Sequence, residues 1–355
     1  MRCSIMTGAL LVIVVGVSRS GAASPDCSRL LAPAMVTRLG DPGADAQRDL
    51  IDAAMRKALG LGADDPMLPE DIEKIRTLEL SSRAFSDLGL KILSSAGAGL
   101  EGVTSLDVGG TAVTDAGIKE LARASTGFKG VTSLNIGNTK VTDEGMKALA
   151  AADSGLAGLT SLELSMSSKV TDAGVKELSR EGTGLRALES LGLFGTSVTD
   201  AGVKELARAG TGLKGLKKLH LGGTAITDGA MKELARPETG LKSLETLQLW
   251  AANVGDAGVK ELARSDTGLA ALTTLNLSDT KVTDAGIREL ARAGTGLKGL
   301  TTLKLWKTAV TDAGMKALAE GGITALAALD VTDTAVTDAG EAAVKTKWPK
   351  AEVER

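Results

Sequence analysis

Aromatic side chains make up only 2% of this 355-residue chain, tyrosine is absent, and a single histidine, His220, stands beside two cysteines and seven prolines. One histidine leaves no His-based metal cluster and little material for a Ser-His-Asp triad. A core this poor in rings has to be filled by Leu, Val and Ala, which works where one small unit stacks in register. The charges nearly cancel, 41 Lys plus Arg against 44 Asp plus Glu, so nothing draws the chain generally to nucleic acid or an anionic membrane. No glycine pair forms a phosphate loop; Gly109-Gly110 and Gly222-Gly223 permit the bend after a strand.

The chain is rich in repetition. Val198-Thr-Asp-Ala-Gly-Val-Lys-Glu-Leu-Ala-Arg208 recurs with its Asp at 87, 115, 143, 172, 200, 228, 256, 284, 312 and 338, an interval of 28 residues broken once by 29 and once by 26. A Leu-x-Leu-x-x-Thr segment, such as Leu275-Asn-Leu-Ser-Asp-Thr280, precedes most copies. A fixed period of this size means one supersecondary unit per repeat, stacked as a solenoid. In residues 275–302, Leu275 and Leu277 alternate with polar neighbours, as in a short strand with one buried face. Thr283 suits a helix N-cap, Asp284 the first turn, and Val282 can staple to Ile287. Ile287, Leu290 and Ala291 then make one apolar stripe, and Gly294-Thr-Gly296 ends the helix. The fold class is α/β, a parallel sheet backed by helices. The extra residue near Ser167-Ser168 predicts a local bulge.

These residues resemble the leucine-rich repeat family, in its long, ribonuclease-inhibitor-like subtype, from Ile72 to the C-terminus. The resemblance implies a curved solenoid with strands on the concave face and helices on the convex face. One departure is that the family's turn Asn is mostly Thr here (Thr111, Thr139, Thr196, Thr224, Thr280, Thr308, Thr334), breaking at Ala252. A Thr hydroxyl can bond a neighbouring turn, so the fold is expected to hold.

Ahead of the repeats, residues 1–23 read as a secretory signal, with Arg2, the apolar run Ala9 to Val17 and a cleavage site at Gly21-Ala-Ala23. That run is well short of the roughly 20 residues needed to span a bilayer, so no stable membrane insertion is expected after cleavage. Cys27 would then be the one remaining cysteine, without an intrachain disulfide or a thiolate metal site. Residues 24–71, helical over 45–59, resemble the helical cap of internalin-like bacterial repeat proteins. Residues 72–340 hold the ten repeats and 341–355 a C-terminal cap, with Trp348 as its lid.

No cofactor or metal is expected. One carboxylate per repeat caps a helix more naturally than it binds calcium, which takes several oxygens. His220 reads as a solvated polar residue, and Lys204, Glu205 and Arg208 as part of a solvated helix face. The residues around each strand's leucines face outward, and in one row this places Phe194, Trp250 and Trp306 in alternate repeats. Strand spacing predicts rings roughly 10 Å apart, with shallow gaps over Gly222 and Ser278. The candidate partner-binding set is Phe194, Lys218, His220, Trp250, Lys304 and Trp306. The expected function is a secreted, periplasmic or cell-envelope scaffold gripping a protein or peptide through the C-terminal half of the concave face. Carbohydrate is a second ligand class, and a ubiquitin-ligase adaptor with an F-box the rival reading. An enzyme lacks a convergent acid-base set.

Overall fold

A computed structural model describes residues 43–96, 100–123 and 128–355. The expected leader, its cleavage site, Cys27 and the first part of the expected cap lie outside the described residues. Eleven three-residue strands form one parallel sheet in chain order: Thr77–Glu79 (β1), Ser105–Asp107 (β2), Ser133–Asn135 (β3), Ser161–Glu163 (β4), Ser190–Gly192 (β5), Lys218–His220 (β6), Thr246–Gln248 (β7), Thr274–Asn276 (β8), Thr302–Lys304 (β9), Ala328–Asp330 (β10) and Glu352–Glu354 (β11). The helix Ala44–Leu59 (α1) and the short Pro69–Ile72 (α2) precede the sheet. One helix then follows each of the first ten strands: Asp87–Ala96 (α3), Asp115–Leu121 (α4), Asp143–Leu149 (α5), Asp172–Ser179 (α6), Asp200–Ala207 (α7), Asp228–Leu234 (α8), Asp256–Leu262 (α9), Asp284–Ala291 (α10), Asp312–Glu320 (α11) and Asp338–Lys347 (α12).

Register is exact in translation: Leu162 pairs with Leu191, Leu191 with Leu219 and Leu219 with Leu247, so each leucine lies over its counterpart. The core between sheet and helices is largely aliphatic, as the shortage of rings requires, with Phe85 and Phe128 fully buried near its start. Within one repeat Leu275, Leu277, Ile287 and Leu290 are fully buried, each contributing on the order of 1.5–3 kcal/mol. The 29-residue interval leaves the strand register intact, since Ser161 still pairs with Ser190. The extra residue is absorbed in the loop, where Ser167 is buried and the Ser168 carbonyl accepts from Ser197 Oγ at 2.7 Å.

The recurring Asp does more than complement a helix dipole. Asp200 Oδ1 accepts from the backbone N–H of Thr227, the N-cap of the next repeat, at 2.7 Å, and Oδ2 accepts from the Thr227 hydroxyl at 2.5 Å. The hydroxyl in turn accepts from Gly229 N–H at 3.2 Å. The same pair of bonds joins Asp115 to Thr142, Asp172 to Thr199 and Asp284 to Thr311. At Asp312 the two bonds from Thr337 hold the carboxyl below its ordinary pKa, with Gly340 N–H and Arg355 adding to the effect. The carboxylate also explains the motif's glycine: a Cβ on Gly174 would stand 2.5 Å from Asp143 Oδ1.

Both ends of this chain of links are met by other groups. Ahead of the first Asp, the Ser86 N–H is accepted by Gln47 Oε1 of α1 at 3.0 Å, where the preceding Asp would have been. At the other end the carboxylate of Asp338 meets Arg355. Ile51, Ala54 and Met55 of α1 join the same core. Trp348 is buried against the last layer with Lys347 Nζ 4.7 Å above its ring, as expected of a lid.

Two local expectations need correction. The turn threonines bond within their own turn, as Thr224 Oγ1 does to the Leu221 carbonyl at 2.6 Å, because that carbonyl lies three residues back on the same bend. The two glycines ending a repeat have different reasons. Gly294 has φ +82°, but Gly296 is there because a Cβ would collide with the Arg264 carbonyl of the preceding repeat.

Candidate functional site

The side chains flanking each strand leucine stand on the face away from the helices. The acidic ones near the start of the sheet are engaged. Glu79 accepts from Lys57 Nζ at 2.7 Å, and Asp107 Oδ1 accepts from Gly109 N–H at 2.8 Å and Asn135 Nδ2 at 3.0 Å. Glu163 Oε1 takes the Ser165 N–H at 2.8 Å and the Ser165 hydroxyl. Register places Gly192 between Glu163 and His220. With no side chain at Gly192, the Glu163 carboxylate lies in the space a Cβ would fill.

His220 is half-buried, not simply solvated. Burial pushes its pKa below the ordinary 6.5, Glu163 opposes that shift and Lys218 adds to it. The ring is therefore uncharged at neutral pH and has a lone pair to offer.

The aromatic row differs from its expected spacing. Phe194 and Trp250 stack with centroids 5.0 Å apart and planes 7° from parallel. Translation along the sheet fixes Cα positions, but side-chain torsions tilt Phe194 across the intervening repeat. Gly222-Gly223 make room for it: a Cβ on Gly223 would stand 3.0 Å from Phe194 Cε2, and one on Gly222 3.2 Å from its Cδ2. Gly222 is buried, and Ser278 is only 4% exposed, so neither expected gap is open.

Trp306 stands outside that stack. Its indole N–H donates to Asp333 Oδ2 at 3.0 Å, and Lys307 Nζ lies 5.5 Å from the ring while pairing with Asp279 at 3.0 Å. Lys218 and Lys304 are exposed on β6 and β9. Of the expected set, Phe194, His220 and Trp250 fall in three successive repeats, with Lys218 on the His220 strand. Lys304 and Trp306 lie two repeats beyond Trp250.

Met166 was not anticipated. It is 56% exposed, and Trp250 is 38% exposed; these are the large exposed apolar side chains of the described repeats. Met166 occupies the turn position where other repeats put Gly195, Gly223 or Asn138, and it holds φ +62°. An L side chain there costs about 1–2 kcal/mol, and strain of this kind gathers at working surfaces. The Met166 sulfur reaches over Gly195, at 2.8 Å from where its Cβ would be. Met166, Phe194 and Trp250 thus line one apolar strip, beside Glu163 and His220. The available signal was a large apolar side chain at a turn position held elsewhere by Gly, Ala, Asn, Asp or Lys.

Among the described residues no three His, Cys, Asp or Glu side chains gather as a metal site, and no described helix is long and apolar enough to cross a membrane. In-register leucine strands, each backed by one helix, give the fold of a leucine-rich repeat solenoid. The Leucine Rich repeat family model matches residues 103–122, 131–150 and 268–291. Among solved structures, an internalin (inlF) of Listeria monocytogenes is similar at 17% identity, over 86% of this chain and 94% of that one, with a TM-score of 0.46. Internalin C2 (inlC2) of the same organism is similar at 20% identity, over 82% of this chain and all of that one, with the same score. No curated protein matches the sequence.

Proposed function

We propose that this protein is a non-enzymatic, secreted or cell-envelope scaffold that binds a protein or peptide partner, centred on the strip Met166, Phe194 and Trp250. The observation that carries the reading is the exposure of Met166 and of Trp250, the latter stacked on Phe194, on the strand face of a largely aliphatic repeat array. Exposed apolar patches rimmed by polar groups mark interaction surfaces, and a few aromatic anchors carry most of the energy of such contacts. Glu163, Lys218 and His220 supply the polar rim. The centre of the surface moves toward the middle of the array, with Trp306 and Lys304 at its far side. Export is supported by the apolar leader sequence.

Carbohydrate is the less favoured ligand, because the stacked rings cover one another's inner faces and leave less flat platform for a sugar. A catalytic reading has little support, since Glu163 is bonded to Ser165 and His220 has no hydrogen-bonded nucleophile beside it among the described residues. The F-box adaptor has no supporting observation.

The test pairs wild type with a Met166→Asn, Trp250→Ser double variant. Captured partner is identified with the wild type, and its affinity is then measured for both proteins alongside thermal unfolding. The double variant should fold normally and bind at least about 30-fold more weakly, the equivalent of one strong anchor. An unchanged affinity, or loss of folding, refutes the assignment. N-terminal sequencing of exported protein should begin just after Ala23; material starting at Met1 would refute the export reading.

A further inference from the structure

Beside the apolar strip, Glu163, Phe194 and His220 bring three different chemistries to the surface around Gly192. At the central position of β5 the side chain is missing, because that residue is Gly192. The neighbouring ring has also left its own place, since Phe194 leans over Gly222-Gly223 toward Trp250. The place at Gly192 is taken by Glu163 from the previous strand, whose carboxylate lies where a Cβ would stand and covers the buried glycine. The bonds from Ser165 both go to Glu163 Oε1, and Oε2 accepts no bond among the described residues. On the opposite side, His220 is one strand away, about 4.8 Å in the sheet direction. Met166 extends toward Gly195 at the rim.

A free carboxylate oxygen, an aromatic ring and an uncharged imidazole select for a flat cation with several N–H donors. We propose that this cluster receives the guanidinium of an arginine side chain on the bound peptide, with Glu163 Oε2 accepting one N–H, Phe194 against its plane and His220 accepting a second N–H. The inference rests on the reading of the strand face as a peptide-binding surface and names one residue type that surface selects. Guanidinium is weakly hydrated and stacks on rings, whereas a lysine ammonium is a compact, strongly hydrated charge that would reach Glu163 but gain little from Phe194. Burial, with Lys218 on the same strand adding to it, holds the His220 pKa down, which disfavours a positive charge on the imidazole and keeps it an acceptor.

The chain's single histidine makes the test direct, because its ring C–H gives one assignable signal. The full chain is titrated with N-acetyl-arginine amide at neutral pH, and in parallel with the citrulline and lysine analogues. Arginine should move the His220 signal saturably, with a half-point on the order of 1–10 mM. Citrulline, flat but uncharged, should give no saturable shift, and lysine should need about tenfold more. Glu163→Gln should raise the arginine half-point by about tenfold, as expected for a charge-assisted bond. The citrulline and lysine arms use wild-type protein, so they do not depend on how the variant folds. An unsaturable response, equal responses to arginine and citrulline or to arginine and lysine, or an unchanged half-point in Glu163→Gln would each overturn the assignment. If arginine fails while Met166→Asn, Trp250→Ser still weakens the partner, this inference is lost and the binding surface stands. If arginine binds while the double variant holds its partner unchanged, the apolar strip is refuted instead.

Discussion

One link in the Asp-to-cap series is incomplete, and repairing it measures what the others contribute. The cap of α9 is Gly255, so Asp228 Oδ1 still accepts a backbone N–H at 2.8 Å, but among the described residues its Oδ2 receives no hydroxyl. Gly255 has φ −125° and ψ −162°, close to the −128° and −170° of the cap Thr227, so threonine fits without strain. A Cβ there would meet Lys281 Cβ at 3.7 Å and Asp228 Oδ2 at 3.8 Å, ordinary contacts that leave a hydroxyl within reach of the carboxylate. The new bond to a charged acceptor should contribute about 1.5 kcal/mol, the low end for a half-exposed site. Lower freedom of the unfolded chain adds about 0.5 kcal/mol, roughly offset by fixing the threonine rotamer. Gly255→Thr should therefore stabilise by about 1.5 kcal/mol, a rise of about 3 °C in melting temperature for a chain of this size. Gly255→Val has the same shape without the hydroxyl and should be no better than wild type, because valine is a poor cap. In an Asp228→Ala background the threonine gain should shrink to a few tenths of a kcal/mol. Urea unfolding of the four proteins gives the comparison. Valine matching threonine, or a full gain without Asp228, would refute the account of the links.

Three other outcomes follow from the geometry. Gly212→Ala places a methyl 2.5 Å from the Arg180 carbonyl of the previous repeat and should destabilise by about 2 kcal/mol in urea unfolding; a neutral result would show that the repeats can separate there freely. Ala251 holds φ +55°, so Ala251→Gly should stabilise by about 0.5–1 kcal/mol once glycine's extra chain entropy is subtracted, and a loss would show that the turn is not strained. His220 has a depressed pKa in the fold, so between its folded value and 6.5 the unfolded chain binds more protons. Its contribution is complete above 6.5 and falls away as pH drops through the folded value; His220→Gln should flatten the fall in urea midpoints below pH 6.5, and an unaltered slope would contradict this.

The repeat, its strand and its helix start were legible in the sequence because each is set by neighbours a few residues apart and restated ten times. The carboxylate at Asp200 was legible as a helix-start residue, but not as the partner of Thr227, since that bond exists only once two repeats have stacked. Gln47 was hidden for a similar reason: nothing in its local sequence marks it as a substitute acceptor for Ser86. The aromatic row was found from register, yet its shape was not. Register carries Phe194 and Trp250 to alternate strands, while the ring tilt is a torsional choice permitted by Gly222-Gly223. Met166 shares its left-handed turn position with Ala251, Asp279 and Lys307, and what sets it apart, a large apolar side chain left exposed, shows only once the repeats have stacked.

The Asp-to-cap bond runs one way, each repeat lending a carboxylate to the repeat after it and receiving one from the repeat before. Duplicating or deleting a whole unit leaves nearly the same balance of donors and acceptors, because every internal seam joins an Asp carboxylate to the next cap's N–H and all but the one at Gly255 add the cap hydroxyl. A gene for such an array can lengthen or shorten in unit steps without burying an unmet charge. Only the two boundary devices, Gln47 and Arg355, have to be unique. The cluster around Phe194 occupies a few neighbouring repeats and could be carried through such changes intact, so the length of the molecule and the identity of what it binds are free to evolve separately.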